Sequence, residues 1–293
     1  MTMEQTTICH PNNPCNNYYG KCLDVKITNC CNGKCAFCIE RGGYSPPPAP
    51  VERLIEATNQ LTDYQTVLIL GGEPFMYPHL EEYLAGIQEK REIFITTNGS
   101  CFITEQVCRI AHLLTAVNIS IHHYDQKVNS SVFGTDISFE RIEKAISLLK
   151  TAAVKVRVNT NLIKGLGWNR SEIVKMFRFA RSLGADEIRF SELQNCPEYY
   201  CSARDLLPDL PEEPFSQGCE HELTPYGSLK VFARQTCGLV NSACEMPEKP
   251  ARKGSSTKVL YPDGTVLPGW FSNEHKAGDR KKGISSTCHR GCH

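Results

Sequence analysis

The sequence predicts an α/β fold, a partial (β/α)6 TIM-like barrel with a small C-terminal β-hairpin domain, on three observations. Six β-branched runs alternate with five amphipathic stretches of helical length, the alternation stops near residue 200, and two hairpin-like segments follow. Alternating strands and helices form a parallel sheet wrapped by helices. Right-handed crossovers then curl that sheet towards a barrel.

The predicted strands are CLDVKIT (22–28), TVLIL (66–70), EIFIT (92–96), VNISIHH (117–123), VKVRVNTNLI (154–163) and DEIRFSEL (186–193). Each is short and rich in Val, Ile or Leu. Helical periods lie near 51–61, 79–90, 103–114, 138–150 and 171–182. PPPAP at 46–50 reads as a stiff loop segment. Beyond the rhythm, LLPDLPEEPFSQG is turn-rich, and ELTPYGSLKVFARQ and KVLYPDGTVLPGWF carry YG and DG turns between strand-like runs. The chain thus divides into an N-terminal cysteine-containing extension (1–21), a barrel (22–205) and a C-terminal domain (206–293).

Composition excludes several classes. Thirty-two basic side chains balance 32 acidic ones in 293 residues, so no nucleic-acid partner is expected. No apolar run has the 18 or so residues of a membrane helix, and the polar N-terminus lacks a signal peptide's apolar stretch. A cytoplasmic protein without a membrane partner is expected. Its 16 cysteines are well short of the roughly 8–10% that marks a disulfide scaffold, which points to metal or redox chemistry.

Spacing sharpens this. CNGKCAFC, just after the first strand, places Cys31, Cys35 and Cys38 as C-x3-C-x2-C on one loop. Three thiolates can hold three corners of a four-iron cluster and leave one iron open. A structural zinc site wants four protein ligands, which this loop does not supply. Zinc or incidental cysteines stay open as the rival reading, with Cys30 as a bystander.

Together with LGGEP (70–74), ITTNG (95–99) and VNISI (117–121), this series resembles the radical S-adenosylmethionine (SAM) enzymes. Residues 161–193 are similar more closely to the MoaA-like molybdenum-cofactor enzymes. The resemblance implies a SAM-binding [4Fe–4S] cluster on Cys31, Cys35 and Cys38. It implies SAM contacts at Phe37, at Gly71, Gly72 and Glu73, and at Thr97, Ser120 and Asn159. Gly71 and Gly72, having no Cβ, are expected to let backbone approach the methionyl amine. Gln194 stands where MoaA has a SAM-contacting methionine. The implied chemistry is reductive SAM cleavage to a 5′-deoxyadenosyl radical that removes a hydrogen atom from an unactivated C–H bond, with a flavodoxin or ferredoxin as reductant.

Two further positions depart from the relatives. Arg157 replaces a nucleotide-binding lysine and alternates with Val156 and Val158, so it is expected to face the barrel mouth and meet an anionic substrate group or a carboxylate. His122 stands where relatives carry an aspartate, as a candidate hydrogen-bonding group or proton shuttle. Both are the candidate catalytic residues.

Cys219, Cys237, Cys244, Cys288 and Cys292 resemble the auxiliary-cluster (twitch or SPASM-type) domains of radical SAM dehydrogenases, implying one auxiliary [4Fe–4S] cluster. A zinc site using Cys288, His289, Cys292 or His293 is the alternative. Cys9, Cys15 and Cys22 read as a third metal site or as plain thiols, and Cys101 and Cys108 as buried helix-face residues. Cys237 and Cys244 enclose six residues where MoaA has C-x2-C, so GTP cyclisation is not expected. Only about 21 residues precede the barrel, which favours a small-metabolite substrate over a peptide.

Overall fold

The computed structural model describes residues 22–38, 44–88, 91–193, 196–210, 220–235 and 258–267. The six expected strands form: β1 (Cys22–Lys26), β2 (Thr66–Leu70), β3 (Glu92–Thr97), β4 (Ala116–Ser120), β5 (Lys155–Leu162) and β6 (Glu187–Glu192). Helices α1 (Val51–Gln60), α2 (Leu80–Gly86), α3 (Thr104–Ile110), α4 (Gln126–Phe133), α5 (Phe139–Thr151) and α6 (Arg170–Ser182) lie between them. Two hairpins complete the sheet, β7 (Glu220–Tyr226) with β8 (Leu229–Arg234), and β9 (Lys258–Leu260) with β10 (Val266–Leu267).

All ten strands belong to one sheet, ordered β10-β9-β1-β2-β3-β4-β5-β6-β8-β7. Each neighbouring pair from β1 to β6 is parallel. The hairpins do not stand apart from this sheet. β8 adds in parallel to β6 and β9 in parallel to β1, so each hairpin extends one edge of the barrel sheet. The two edges do not pair among the described residues, and the barrel stays open.

Period two sorts the strands cleanly. Leu23, Val25, Val67, Ile69, Ile93, Ile95, Val117, Ile119, Val156, Val158, Ile188 and Phe190 join one hydrophobic core beneath the helices. The alternate positions, among them Thr96, Asn118, Ser120, Arg157, Asn159, Glu187 and Arg189, occupy the inward face. Asn118 reaches across that face to donate to Thr96 at 3.3 Å.

Local chemistry sets the helix boundaries. Asp125 caps α4 by accepting from the N–H groups of Lys127 and Val128, and Gly134 ends it at φ 63°. This eight-residue helix is absent from the sequence expectation because QKVNSSVF has too little apolar periodicity. Its two caps were the only local signal. Asn169 and Ser138 cap α6 and α5 in the same way as Asp125. Arg91 ends α1 from outside, donating to the carbonyls of Thr58 at 2.7 Å and Leu61 at 3.2 Å.

Candidate active site

The loops that follow β1, β2 and β3 are bonded to one another at the C-terminal end of the sheet. Ile27 N–H donates to the Leu70 carbonyl at 2.9 Å, Gly72 N–H to Thr28 at 2.8 Å and Glu73 N–H to Cys30 at 2.8 Å. The β1–β2 ladder therefore continues past the strands into the cysteine loop and the glycine pair. A Cβ on Gly72 would stand 2.0 Å from the Cys30 carbonyl oxygen, and one on Gly71 2.6 Å from that of Thr28. Gly71 also holds φ +143°, which favours glycine. The space that their side chains would need is taken by the stem of the cysteine loop.

Glu73 is buried. Its carboxylate accepts from Thr97 Oγ1 at 2.6 Å, Asn98 N–H at 2.8 Å and Phe75 N–H at 3.1 Å. Burial pushes its carboxyl upward, and these three donors oppose the shift. Glu73 and Thr97, the expected cofactor contacts, direct these polar atoms at each other and at the backbone in this structure. They shape the site from behind.

Cys31, Cys35 and Cys38 all lie on this loop. Gly33 N–H points at Cys31 Sγ at 3.3 Å. A Cβ on Gly33 would stand 3.4 Å from the Cys31 sulfur and 3.7 Å from the Cys35 sulfur, so the two sulfurs flank one backbone point. Among the described residues no three Cys, His, Asp or Glu side chains converge on one point as a single-ion site requires. Three thiols on one short loop at a strand end suit a multi-iron cluster, whose irons each take a single thiolate. The donor set fits that group.

Phe37 is buried against Ile163, Leu193 and Cys196 at the ends of β5 and β6, and the Cys196 thiol lies 3.6 Å from the Phe37 carbonyl. Its ring meets that of His122 edge-on at 5.4 Å. His122 in turn stacks flat on Phe133, centroids 4.8 Å apart. Its Nδ1 accepts from Asn161 N–H at 3.1 Å, which leaves the ring proton on Nε2, and its own N–H donates to Asn129 Oδ1 at 2.8 Å. Burial pushes its pKa down to about 3. A proton shuttle near neutrality needs a pKa near 7, which speaks against the shuttle, while the proton on Nε2 keeps His122 a candidate hydrogen-bonding group.

Arg157 does face inward, but towards protein carboxylates. Its Nε donates to Glu187 at 2.6 Å, its Nη1 lies 3.3 Å from Glu220, and its guanidinium covers the Phe232 ring at 4.5 Å. Arg189 shares Glu220 at 3.2 Å. With Lys155 3.4 Å from Glu187, three cations meet two glutamates, and Arg157 takes the ion-paired alternative in this structure. Ser120 and Asn159 sit side by side in register on the inward face. The side-chain oxygens of Asn118 and Asn159 are buried there without a hydrogen-bond partner.

Some expected positions fall elsewhere. Cys101 lies before α3 against Asn32 and Ser100, and Cys108 is exposed, so neither is a buried helix-face residue. Cys22 is buried in β1 beside Asp24. Gln194, Cys219, Cys237, Cys244, Cys288 and Cys292, with Cys9 and Cys15, lie outside the described residues. The sequence reading missed Asn32, Asn98, Ser100 and Asn129, ordinary polar residues of loops and a helix, and Asn32 finds its partners 66 to 103 positions away. No local pattern announces such pairings.

A parallel partial barrel with three thiols after its first strand and a glycine pair after its second defines an enzyme class built around a cysteine-held cluster. The chain belongs to the radical SAM superfamily, whose family model matches residues 25–180. Enzymes of that superfamily use a [4Fe–4S] cluster and SAM. Among similar proteins, the GTP 3′,8-cyclase of Aquifex aeolicus is 28% identical over 184 residues, 59% of this chain and 56% of its own. The probable GTP 3′,8-cyclase of Methanocella arvoryzae is 23% identical over 212 residues, 70% of this chain and 68% of its own. The chain spans little more than half the length of the Aquifex relative. Among solved structures, Streptococcus suis SuiB bound to its precursor peptide SuiA has a TM-score of 0.60 at 18% identity, covering 88% of this chain and 61% of SuiB. The anSMEcpe structure with AdoMet and the Cp18Cys peptide has a TM-score of 0.53 at 16% identity, covering 85% and 73%. These structures share the fold.

Proposed function

We propose that this radical SAM enzyme abstracts a hydrogen atom from an unactivated C–H bond of a small polar metabolite, such as a sugar, nucleoside or amino-acid derivative. Cys31, Cys35 and Cys38 would hold the [4Fe–4S] cluster, with SAM across Phe37, Ser120, Asn159 and the glycine pair. When bound, the cluster and SAM supply the 5′-deoxyadenosyl radical on reduction by a flavodoxin or ferredoxin. The protein's own groups position and shield. Glu73 locks the loops after β2 and β3 beneath the cysteine loop, and Phe37, His122 and Phe133 form an apolar wall that keeps water from the reacting centre.

The observation that carries this reading is the mutual bonding of the loops after β1, β2 and β3 around three cysteines at one sheet end. The substrate class rests on the inward face. Its arginines are paired with glutamates, and the unpartnered oxygens of Asn118 and Asn159 call for hydrogen-bond donors. Cys237 and Cys244 do not keep the C-x2-C spacing of the cyclase relatives, so their activity is not carried over. In this reading Cys219, Cys237, Cys244, Cys288 and Cys292 supply one auxiliary [4Fe–4S] cluster in a cytoplasmic enzyme.

Peptide modification is the second reading, favoured by the fold shared with SuiB and anSMEcpe in their peptide-bound forms. The anaerobically reconstituted protein should form 5′-deoxyadenosine from SAM and dithionite, and the C31A/C35A/C38A variant should not. No SAM cleavage by a fully loaded protein would overturn the proposal. Deuterium transfer into 5′-deoxyadenosine from labelled sugars and nucleosides, compared with labelled peptides, separates the two substrate readings.

A further inference from the structure

We infer that Asn32, between the first two cysteines, is a positioning residue that sets the shape of the cysteine loop and thereby the hold on its cluster. This rests on the assignment of that cluster to Cys31, Cys35 and Cys38.

The loop has little apolar burial to fix it. Cys31, Lys34, Ala36 and Cys38 are exposed, and only Phe37 is buried. Its conformation therefore depends on polar ties, and Asn32 supplies several of them. Its Nδ2 donates to Ser100 Oγ at 2.8 Å and lies 3.4 Å from Thr135 Oγ1, while its Oδ1 accepts from Asn98 Nδ2 at 3.1 Å. Both ends of the amide are in use.

The partners are themselves held. Ser100 N–H and Oγ both donate to Asn98 Oδ1, at 2.8 and 2.5 Å, and Arg141 from α5 donates to the Ser100 carbonyl at 2.9 Å. Asn98 N–H is bound to Glu73, so one connected chain runs from Asn32 through Asn98 to the buried carboxylate. On the loop's far side, Lys34 N–H donates to the Phe133 carbonyl at 2.6 Å, at the C-terminal end of α4. Asn32 and Lys34 bracket Gly33, and that bracketing aims Gly33 N–H at Cys31 Sγ. Hydrogen bonds to sulfur tune a cluster's potential, because they favour the more negative, reduced form. Loss of the Asn32 clasp would free Gly33 N–H and loosen the spacing of two thiolates together.

The test uses the full chain, reconstituted anaerobically, in wild-type, N32A, S100A and N32A/S100A forms. The cluster on this loop is followed by the electron paramagnetic resonance signal that changes on adding SAM. The iron left in the C31A/C35A/C38A variant is subtracted as background. N32A should speed iron release to bathophenanthroline disulfonate by about tenfold, as expected for losing one to two net hydrogen bonds. It should also move the midpoint potential of the SAM-responsive signal to a more negative value. S100A should give a smaller change in the same direction, and the double variant should release iron no faster than N32A. Cluster-free N32A should melt only a few degrees below the wild type, as the loss of one to two net hydrogen bonds allows, and the shift in potential is the readout that a general structural role would not move. N32A with wild-type iron release and potential, or additive effects in the double variant, would overturn the inference alone. A wild-type chain that takes up no SAM-responsive cluster would overturn both the inference and the assignment beneath it.

Discussion

The carboxylate of Glu73 accepts the Thr97 hydroxyl at 2.6 Å, and this bond joins the residues that follow β2 to the end of β3 beneath the cysteine loop. Two backbone N–H groups share the same carboxylate. A glutamate so engaged works through the backbone it holds.

Replacing Glu73 with Gln puts an amide N–H where three donors already point. E73Q should lose about 1–3 kcal/mol of stability, the cost of a buried polar group left unsatisfied. Its SAM affinity should fall by about tenfold as the loops loosen, roughly 1.4 kcal/mol of binding. Urea denaturation and equilibrium dialysis measure the two effects. Unchanged stability with weakened SAM binding would instead make Glu73 a direct contact.

The glycines make a paired prediction. In G72A the new Cβ would stand 2.0 Å from the Cys30 carbonyl, a backbone atom that cannot move aside without shifting the loop stem. In G33A it would stand 3.4 Å from a sulfur, an ordinary contact. Iron per chain after reconstitution should fall at least by half in G72A and stay near the wild-type value in G33A.

His122 gives a pH prediction with a definite sign. Its folded pKa, near 3, lies below the usual value of 6.5, so the unfolded chain takes up the proton first as pH falls. The stabilisation is fully present above 6.5 and is lost as pH falls towards 3, at up to about 1.4 kcal/mol per pH unit. Urea unfolding of wild type and H122Q at pH 6.5, 5.5 and 4.5 should show the variant's stability falling less steeply. Parallel slopes would count against a buried neutral imidazole.

Arg157 separates a structural from a binding role. R157A leaves Glu187 buried with its principal cation gone, and breaking such a pair costs about 3–5 kcal/mol. R157M, which keeps some of the contact with the Phe232 ring, should lose less. A stable R157A protein with weakened binding of an anionic substrate would restore the role that the sequence suggested.

Much of the fold was legible. Runs such as TVLIL and VKVRVNTNLI carry both strand length and facing, because every second residue must enter the core. The hairpins were legible too, but not their attachment. β8 pairs with β6 and β9 with β1 through backbone hydrogen bonds, which any pair of strands can make and no side chain encodes. Helix α4 was missed because its caps, Asp125 and Gly134, flank a stretch with almost no apolar period.

The site divides along the same line. By itself, the sequence determined the three-cysteine loop, the glycine pair and their places at successive strand ends, since ligand chemistry and spacing are properties of a local segment. Tertiary structure alone decided what the polar groups do. It turned Glu73 and Thr97 towards each other, paired Arg157 with Glu187 and Glu220, stripped His122 of its near-neutral pKa and brought Asn32 against Asn98 and Ser100. Burial and ion pairing depend on atoms that the chain delivers from scores of residues away, and only folding brings them together.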